Sequence, residues 1–308
     1  MGWENLMCNQ DDIKPTVQNG NHHFYRSDSM DDSMYVREVL EAGSMYTVYQ
    51  PIVNHSKQMV FAHEALSRPF WQDSALAPDR WFQASVVEEC SMAADMLAVR
   101  TAFTHFKSDA LHQKRLFVNV MPTSLLDISF MNFFERALDV YHMDPTQLVI
   151  EIIEYVSYIP SELAPICNVL RSSGIQFALD DVSHECSAKE LLLKLDVLQP
   201  EYIKIDRSLI HGVAHNLVQQ KRLRSLLDRV TSSKYVIAEG VESQADMEWL
   251  KMNGVQLSQG YYWSKPLCMS EIVYSQNCEE STLTKGVGTA HAGLLRAYQN
   301  VHKYTKEK

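Results

Sequence analysis

The sequence predicts a closed α/β barrel whose chain opens with an antiparallel hairpin. Three observations carry this. Short β-branched or apolar runs recur at residues 46–53, 59–66, 116–120, 148–152, 175–179, 202–205 and 235–238, with segments of helical period between them from the second run onward. That rhythm argues for right-handed strand–helix–strand units and a parallel sheet. With a last strand near 255–257, about eight strands fall within about 225 residues, the size of a closed barrel. The first two runs are separated only by residues 54–58, too few for a parallel crossover, so they pair as a hairpin. An open doubly wound sheet is the structural alternative, but no G-x-G-x-x-G turn supports a dinucleotide crevice.

In chain order, residues 1 to about 30 are polar and aperiodic, and His22 and His23 within them read as part of a solvated arm. Asp32 or Ser33 can cap a helix through Ala42, and Gly43 sits where a C-terminal cap glycine belongs. Helical periods then cover 90–106, 162–172, 188–195, 216–231 and 243–252. Beyond Pro266 the chain is polar to about Gly288, and 290–304 suits one more amphipathic helix. The organisation expected is an arm at 1–35, a barrel at 36–268 and a partly helical extension at 269–308.

Lysine and arginine total 28 against 38 acids, a net charge of −10. A chain this acidic does not suit coating long nucleic acid, but cations could bridge it to a small phosphate ligand. The 6 cysteines contain no C-x-x-C pair, so neither a disulfide framework nor a zinc site is expected; free, mostly buried thiols in a reducing compartment are. No run reaches the ~18 apolar residues of a membrane span, and the N-terminus has acids where a signal peptide needs basic and then apolar residues. The expectation is a cytoplasmic protein.

The apolar runs end in acids, amides or a lysine: Glu64, Asn119, Glu151 and Glu154, Asp180 and Asp181, Lys204 and Asp206, Glu239 and Glu242, Gln259. In a barrel these strand ends converge on the face that carries active sites. Carboxylates gathered there repel unless cations lie between them, and hard oxygen ligands select Mg²⁺ or Mn²⁺. Two ions about 4 Å apart suit an in-line displacement at phosphorus, with a lysine to orient or deprotonate water. Taken singly, each acid reads more readily as a solvated loop residue or a helix cap than as a ligand, Asp180 and Asp181 included. Their joint occurrence at successive strand ends, beside positions where an unpaired charge is costly, is what points to a site.

The motifs YQPIV at 49–53, FAHEALSR at 61–68, FVNVMP at 117–122, VIEIIE at 149–154, ALDD at 178–181, YIKIDRS at 202–208, VIAEGVES at 236–243 and QGYYWSKP at 259–266 together resemble the bacterial EAL domain, over about residues 36–268. The resemblance implies a modified TIM barrel, (β/α)8 with one antiparallel strand. It also implies hydrolysis of cyclic di-GMP to linear pGpG with Mg²⁺ or Mn²⁺. By the matched positions it implies that Glu64, Asn119, Glu151 and Asp180 hold a first metal, and that Asp181 holds a second with Asp180 bridging. Lys204 matches the lysine that positions and activates water, Glu239 an acid at the metal centre, and Gln259 a residue supporting the site. Glu154 matches the glutamate anchoring the loop after the Asp pair, and Asp206 and Glu242 match supporting acids. Gln50 and Arg68 match residues touching the dinucleotide; a guanidinium suits a phosphate by its forked donors.

Where the family usually reads D-F-G-T-G, residues 181–187 read D-V-S-H-E-C-S. Losing both glycines removes the positions most able to adopt φ > 0. The stretch 180–204 is also about three residues longer than the common form, and Ile153 replaces the usual threonine. The resemblance places a homodimer contact in this loop, so the change bears on dimerisation, on coupling to partners and on activity. Two functions stay open: a phosphodiesterase, or a catalytically weak or inactive receptor for cyclic di-GMP or a protein partner. No Gly-Gly-Asp-Glu-Phe signature of a diguanylate cyclase is present, and residues 1–35 leave no room for a full sensor domain.

Overall fold

The computed structural model describes residues 31–72, 74–106, 114–183, 187–230 and 235–272. Residues 1–30 of the arm, with His22 and His23, and residues 273–308 of the extension, with its expected helix at 290–304, lie outside the described residues. So do residues 184–186 of the altered loop.

The strands are β1 (Met45–Asn54), β2 (Met59–Trp71), β3 (Ser74–Ala75), β4 (Arg115–Val120), β5 (Leu148–Ile152), β6 (Gln176–Val182), β7 (Tyr202–Ile205), β8 (Tyr235–Ala238) and β9 (Leu257–Ser258). Eight of them close a ring in the order β1, β2, β4, β5, β6, β7, β8, β9 and back to β1, while β3 makes a two-residue pairing with β2. β1 is antiparallel to both neighbours, and the other ring pairs run parallel. Since β2 must run parallel to β4, the short 54–58 connection reverses β1 alone.

Helices α1 (Asp32–Ala42), α2 (Pro78–Val87), α3 (Ser91–Phe106), α4 (Pro122–Leu125), α5 (Ile128–Val140), α6 (Pro160–Ser172), α7 (Ala188–Leu198), α8 (Arg207–Ile210), α9 (Leu217–Leu227) and α10 (Gln244–Met252) complete the fold. Their starts follow local chemistry. The side chains of Asp127, Ser187, Asn216 and Ser243 each accept a backbone N–H from the first turn they precede. Phe103, Phe130, Phe134, Leu163, Cys167 and Leu170 fill the layer between helices and strands. Inside the ring lies a separate buried cluster: Ile52, Ala62, Phe117, Val149, Ala178, Tyr202, Ile237 and Leu257, one from each strand. This plug makes the barrel a core rather than a pore.

Several expectations need correction. The residue preceding α1 is Asp31, in extended conformation, rather than Asp32 or Ser33; Gly43 does end the helix, at φ 64°. The last strand is Leu257–Ser258 rather than 255–257, because the Val255 N–H turns back to Leu250 O and closes α10. Helix α9 ends at Leu227, before the expected 231. Helices α2 and α5 were not singled out by periodicity, although Pro78 in the first turn and the Asp127 cap mark their starts. Among the described cysteines, Cys167 is buried, but Cys90 and Cys268 are only half-buried; all three are free. No helix among the described residues is long and apolar enough to cross a membrane.

One buried acid is set apart from the barrel mouth. Asp95 of α3 is inaccessible and accepts the Met121 N–H at 2.9 Å. Burial pushes its pKa up to about 7, against the pull of that N–H. The folded chain therefore keeps a proton that the unfolded chain releases near pH 4. Stability should fall as pH rises from about 4 to about 7, by on the order of 1 kcal/mol per pH unit. In Asp95→Asn the drop in Tm between pH 5 and pH 8 should shrink; an unchanged drop in the variant would refute this origin.

Candidate active site

Side chains alternate faces along a strand, so two steps from each residue of the plug lies the next inward position. Those positions are Gln50, Glu64, Asn119, Glu151, Asp180, Lys204, Glu239 and Gln259. For β1, which runs the other way, the step is from Ile52 back to Gln50. These eight, all among the expected site residues, thus form one polar layer on the apolar plug, at the C-terminal ends of the parallel strands.

Lys204 stands at its centre, 1% exposed. Its Nζ lies 3.2 Å from Glu64 Oε1, 2.9 Å from Glu151 Oε1, 2.9 Å from Asp180 Oδ1 and 2.8 Å from Glu239 Oε1. Amides brace the wall. Asn119 Nδ2 donates to Glu64 Oε1 at 3.1 Å, and Gln259 Nε2 donates to Glu64 Oε2 at 2.5 Å and Gln50 Oε1 at 2.9 Å. Gln50 Nε2 donates in turn to Ser264 O at 3.0 Å. Gln259 is held by backbone stitching between the segments after β8 and β9, where Val241 N–H donates to Gln259 O. At the next position, Gly260, a Cβ would lie 2.2 Å from Val241 O, so only glycine permits that approach.

Asp181 joins the site by a different device. Strand alternation would turn it outward, but the β6–β7 pairing shifts between Leu179 and Val182, leaving Asp180 and Asp181 against the single residue Lys204. Asp181 takes φ 52°, unusual for a residue with a Cβ. This bulge re-aims its carboxylate toward the same mouth.

The electrostatics are those of an acid-rich pocket. Burial raises Glu151 well above the carboxylate range, reinforced by the charges of Glu64 and Asp180 and opposed by Lys204. Glu239 is raised well above it by burial and by Asp180. Asp180 is also raised by burial, against Lys204. Asp181 is pushed up to about 6 by burial and by Asp180. Glu64 is the exception: burial pushes it up, but Lys204 and hydrogen bonds, including those from Gln259 and Asn119, hold it below its ordinary value. Desolvation pulls Lys204 down, yet the surrounding acids win and raise it well above a normal lysine.

Two groups of carboxylates have ligand oxygens within 4.8 Å of one another: Glu64, Glu151 and Asp180, and Asp180, Asp181 and Glu239. Asp180 belongs to both. The buried oxygens of Glu151 accept no hydrogen bond in good geometry. Five carboxylates against one ammonium leave an excess of about four negative charges, which two divalent cations would balance. The residues therefore fit a pair of hard cations by ligand type, grouping and charge. Cations must displace the protons these groups retain, so affinity should fall as pH drops through about 6, where Asp181 takes up its proton. Calorimetric titration of Mn²⁺ at pH 5.5 and pH 8 checks this; equal affinities would contradict it.

The layer floors a cavity of about 840 Å³, walled by Arg68, Asp79, Phe82, Gln83, Tyr155, Arg207, Glu242 and Tyr261 among others. Its size suits a nucleotide-scale ligand. Of the remaining expected residues, Arg68 and Glu242 reach this wall. Glu242 pairs with Arg207 at 2.7 Å. Asp206 caps α8, accepting Ser208 N–H at 2.9 Å, and Glu154 binds Tyr158 and Lys194; neither lines the cavity. The wall residues Tyr155, Arg207 and Tyr261 were missed, although each adjoins or nearly adjoins a recognised motif acid or amide. Phe82 and Gln83 come from α2, a helix the periodicity did not disclose.

The family model described as EAL domain matches residues 34–266. The chain belongs to the EAL domain family. PdeB of Escherichia coli K12, named as a probable cyclic di-GMP phosphodiesterase, is 27% identical over 237 residues, covering 75% of this chain and 44% of PdeB. The chain thus spans less than half the length of that relative. Among solved structures, BlrP1 of Klebsiella pneumoniae, determined with calcium and cyclic di-GMP, is 26% identical with TM-score 0.64, covering 73% of this chain and 56% of BlrP1. A standalone EAL protein of Vibrio cholerae bound to cyclic di-GMP is 26% identical with TM-score 0.60, covering 73% of this chain and 93% of its own. The mixed barrel with its reversed first strand is therefore the EAL domain fold.

Proposed function

We propose that this EAL domain hydrolyses one phosphodiester of cyclic di-GMP to give linear pGpG, using two divalent cations, Mg²⁺ or Mn²⁺. The observation that carries the reading is the sharing of Asp180 by two carboxylate groups around one buried lysine. The calcium in the BlrP1 complex and the phosphodiesterase name of PdeB support it.

Glu64, Asn119, Glu151 and Asp180 would hold one cation, and Asp180, Asp181 and Glu239 the other. Bound there, the cations supply a water of lowered pKa and neutralise charge on the phosphoryl oxygens. The chain's own groups do the rest. Lys204 keeps its proton among four carboxylates, so its Nζ is a donor that orients an oxygen at the cluster. Gln259 and Asn119 fix the Glu64 carboxylate, and Gln50 is fixed in turn. Arg68 on the wall offers forked donors to a phosphate.

The test is conversion of cyclic di-GMP to pGpG, followed by chromatography with Mn²⁺ present, for wild type beside Glu64→Ala and Lys204→Ala. Product from wild type alone supports the reading. Tight binding without turnover in a folded wild type would favour the receptor function, for which the glycine-free run at 182–187 is the specific argument. We assign work in the cytoplasm and a homodimer contact near that run to the same proposal, the latter testable by light scattering.

A further inference from the structure

The side chain of Glu154, just beyond β5, is 13% exposed and away from the cavity. It accepts a hydrogen bond from Tyr158 OH at 3.0 Å and pairs closely with Nζ of Lys194. Lys194 lies in the second turn of α7, and its side chain is 11% exposed. Its Nζ packs 5.2 Å from the Tyr158 ring centre and pairs with Glu190 Oε1 at 3.0 Å, one turn earlier on the same helix. A cation held by two carboxylates and an aromatic face at this depth is not a solvated surface pair; losing it strands a desolvated carboxylate.

The position of this latch in the chain gives it a consequence. Residues 183–187 alone separate Val182, the last residue of β6, from the start of α7. Val182 directly follows Asp181, whose φ of 52° is costly for a residue with a Cβ and persists only if both flanks are held. The N-terminal flank is held in the sheet, where Leu179 pairs with Ile203, and on the C-terminal side Val182 O accepts Asp206 N–H at 3.1 Å. Beyond Val182 this same C-terminal flank leads into α7, which Lys194 ties to Glu154, just past the end of β5 and three residues beyond Glu151.

We propose that Lys194 is a positioning residue of the site: through Glu154 it fixes α7 against β5 and so keeps the Asp181 carboxylate with Asp180 and Glu239. This rests on the reading of the carboxylate groups as cation sites. Lys194 touches neither a cation ligand of that reading nor the cavity.

The experiment measures Mn²⁺ binding to the full chain without substrate, by calorimetry and by the electron paramagnetic resonance of free Mn²⁺. It compares wild type with Lys194→Met, Lys194→Gln and Lys194→Arg, with thermal melts alongside. Lys194→Met is expected to weaken the weaker of two sites by about tenfold or more and to spare the stronger. Lys194→Arg, which keeps the charge, should restore it. If Lys194→Met does not fold, Lys194→Gln carries the test, with a loss at the weaker site that Lys194→Arg does not show. A lowered Tm with both affinities unchanged would overturn the proposal alone. A folded wild type that binds no Mn²⁺ would overturn the cation reading and the proposal with it.

Discussion

Lys204→Met is expected to abolish measurable turnover of cyclic di-GMP and to make folding depend on added divalent cation. The ammonium is 1% exposed and touches four carboxylates. Methionine matches its length but supplies neither charge nor donor. Loss of the positioned donor should slow the chemical step by about 10²–10⁴. Without cations the carboxylates lose the positive charge that offsets their repulsion, and breaking such a buried pair costs about 3–5 kcal/mol. Melting in EDTA should therefore drop well below wild type, and Mn²⁺ should raise Tm by more than it does in wild type. Single-turnover assays with Mn²⁺ and melts with and without it check both parts. A wild-type rate, or an equal Mn²⁺ shift in both proteins, would refute the role.

Asp180→Asn is expected to eliminate both cation sites, whereas Asp181→Asn should eliminate one. The difference follows from membership: Asp180 lies in both carboxylate groups and Asp181 in one. Asparagine keeps the shape but loses the charge and one oxygen. Even outer groups around a metal are worth about 10–100-fold in affinity, so a shared direct ligand should cost at least about a hundredfold in rate. In EDTA the same variant should melt above wild type, because Asp180 raises the pKa of Glu151, Asp181 and Glu239 by its charge. Function held at the expense of stability is expected at such a site. Mn²⁺ stoichiometry and melts in EDTA decide it; two cations still bound by Asp180→Asn would contradict the shared role.

Much of this site is legible in the sequence. Strand alternation maps each plug residue onto a site residue two positions along, as Val149 onto Glu151 and Tyr202 onto Lys204. Periodicity therefore places Glu64, Asn119, Glu151, Asp180, Lys204, Glu239 and Gln259 on one face once the strands are known. Glu154 and Asp206 break the pattern: each follows its strand end and turns to other work, one to Lys194 and one to a helix cap. Arg68 and Glu242 reach the cavity only at its wall.

By itself the sequence determined the barrel, its reversed first strand and the polar layer, because periodicity and connection length are local quantities. Only the tertiary structure decided that Asp181 faces the cluster, that α2 supplies part of the wall, and that Glu154 meets Lys194. Each of these depends on a register shift or on the docking of segments distant in sequence, and neither is written in the alternation of a single strand.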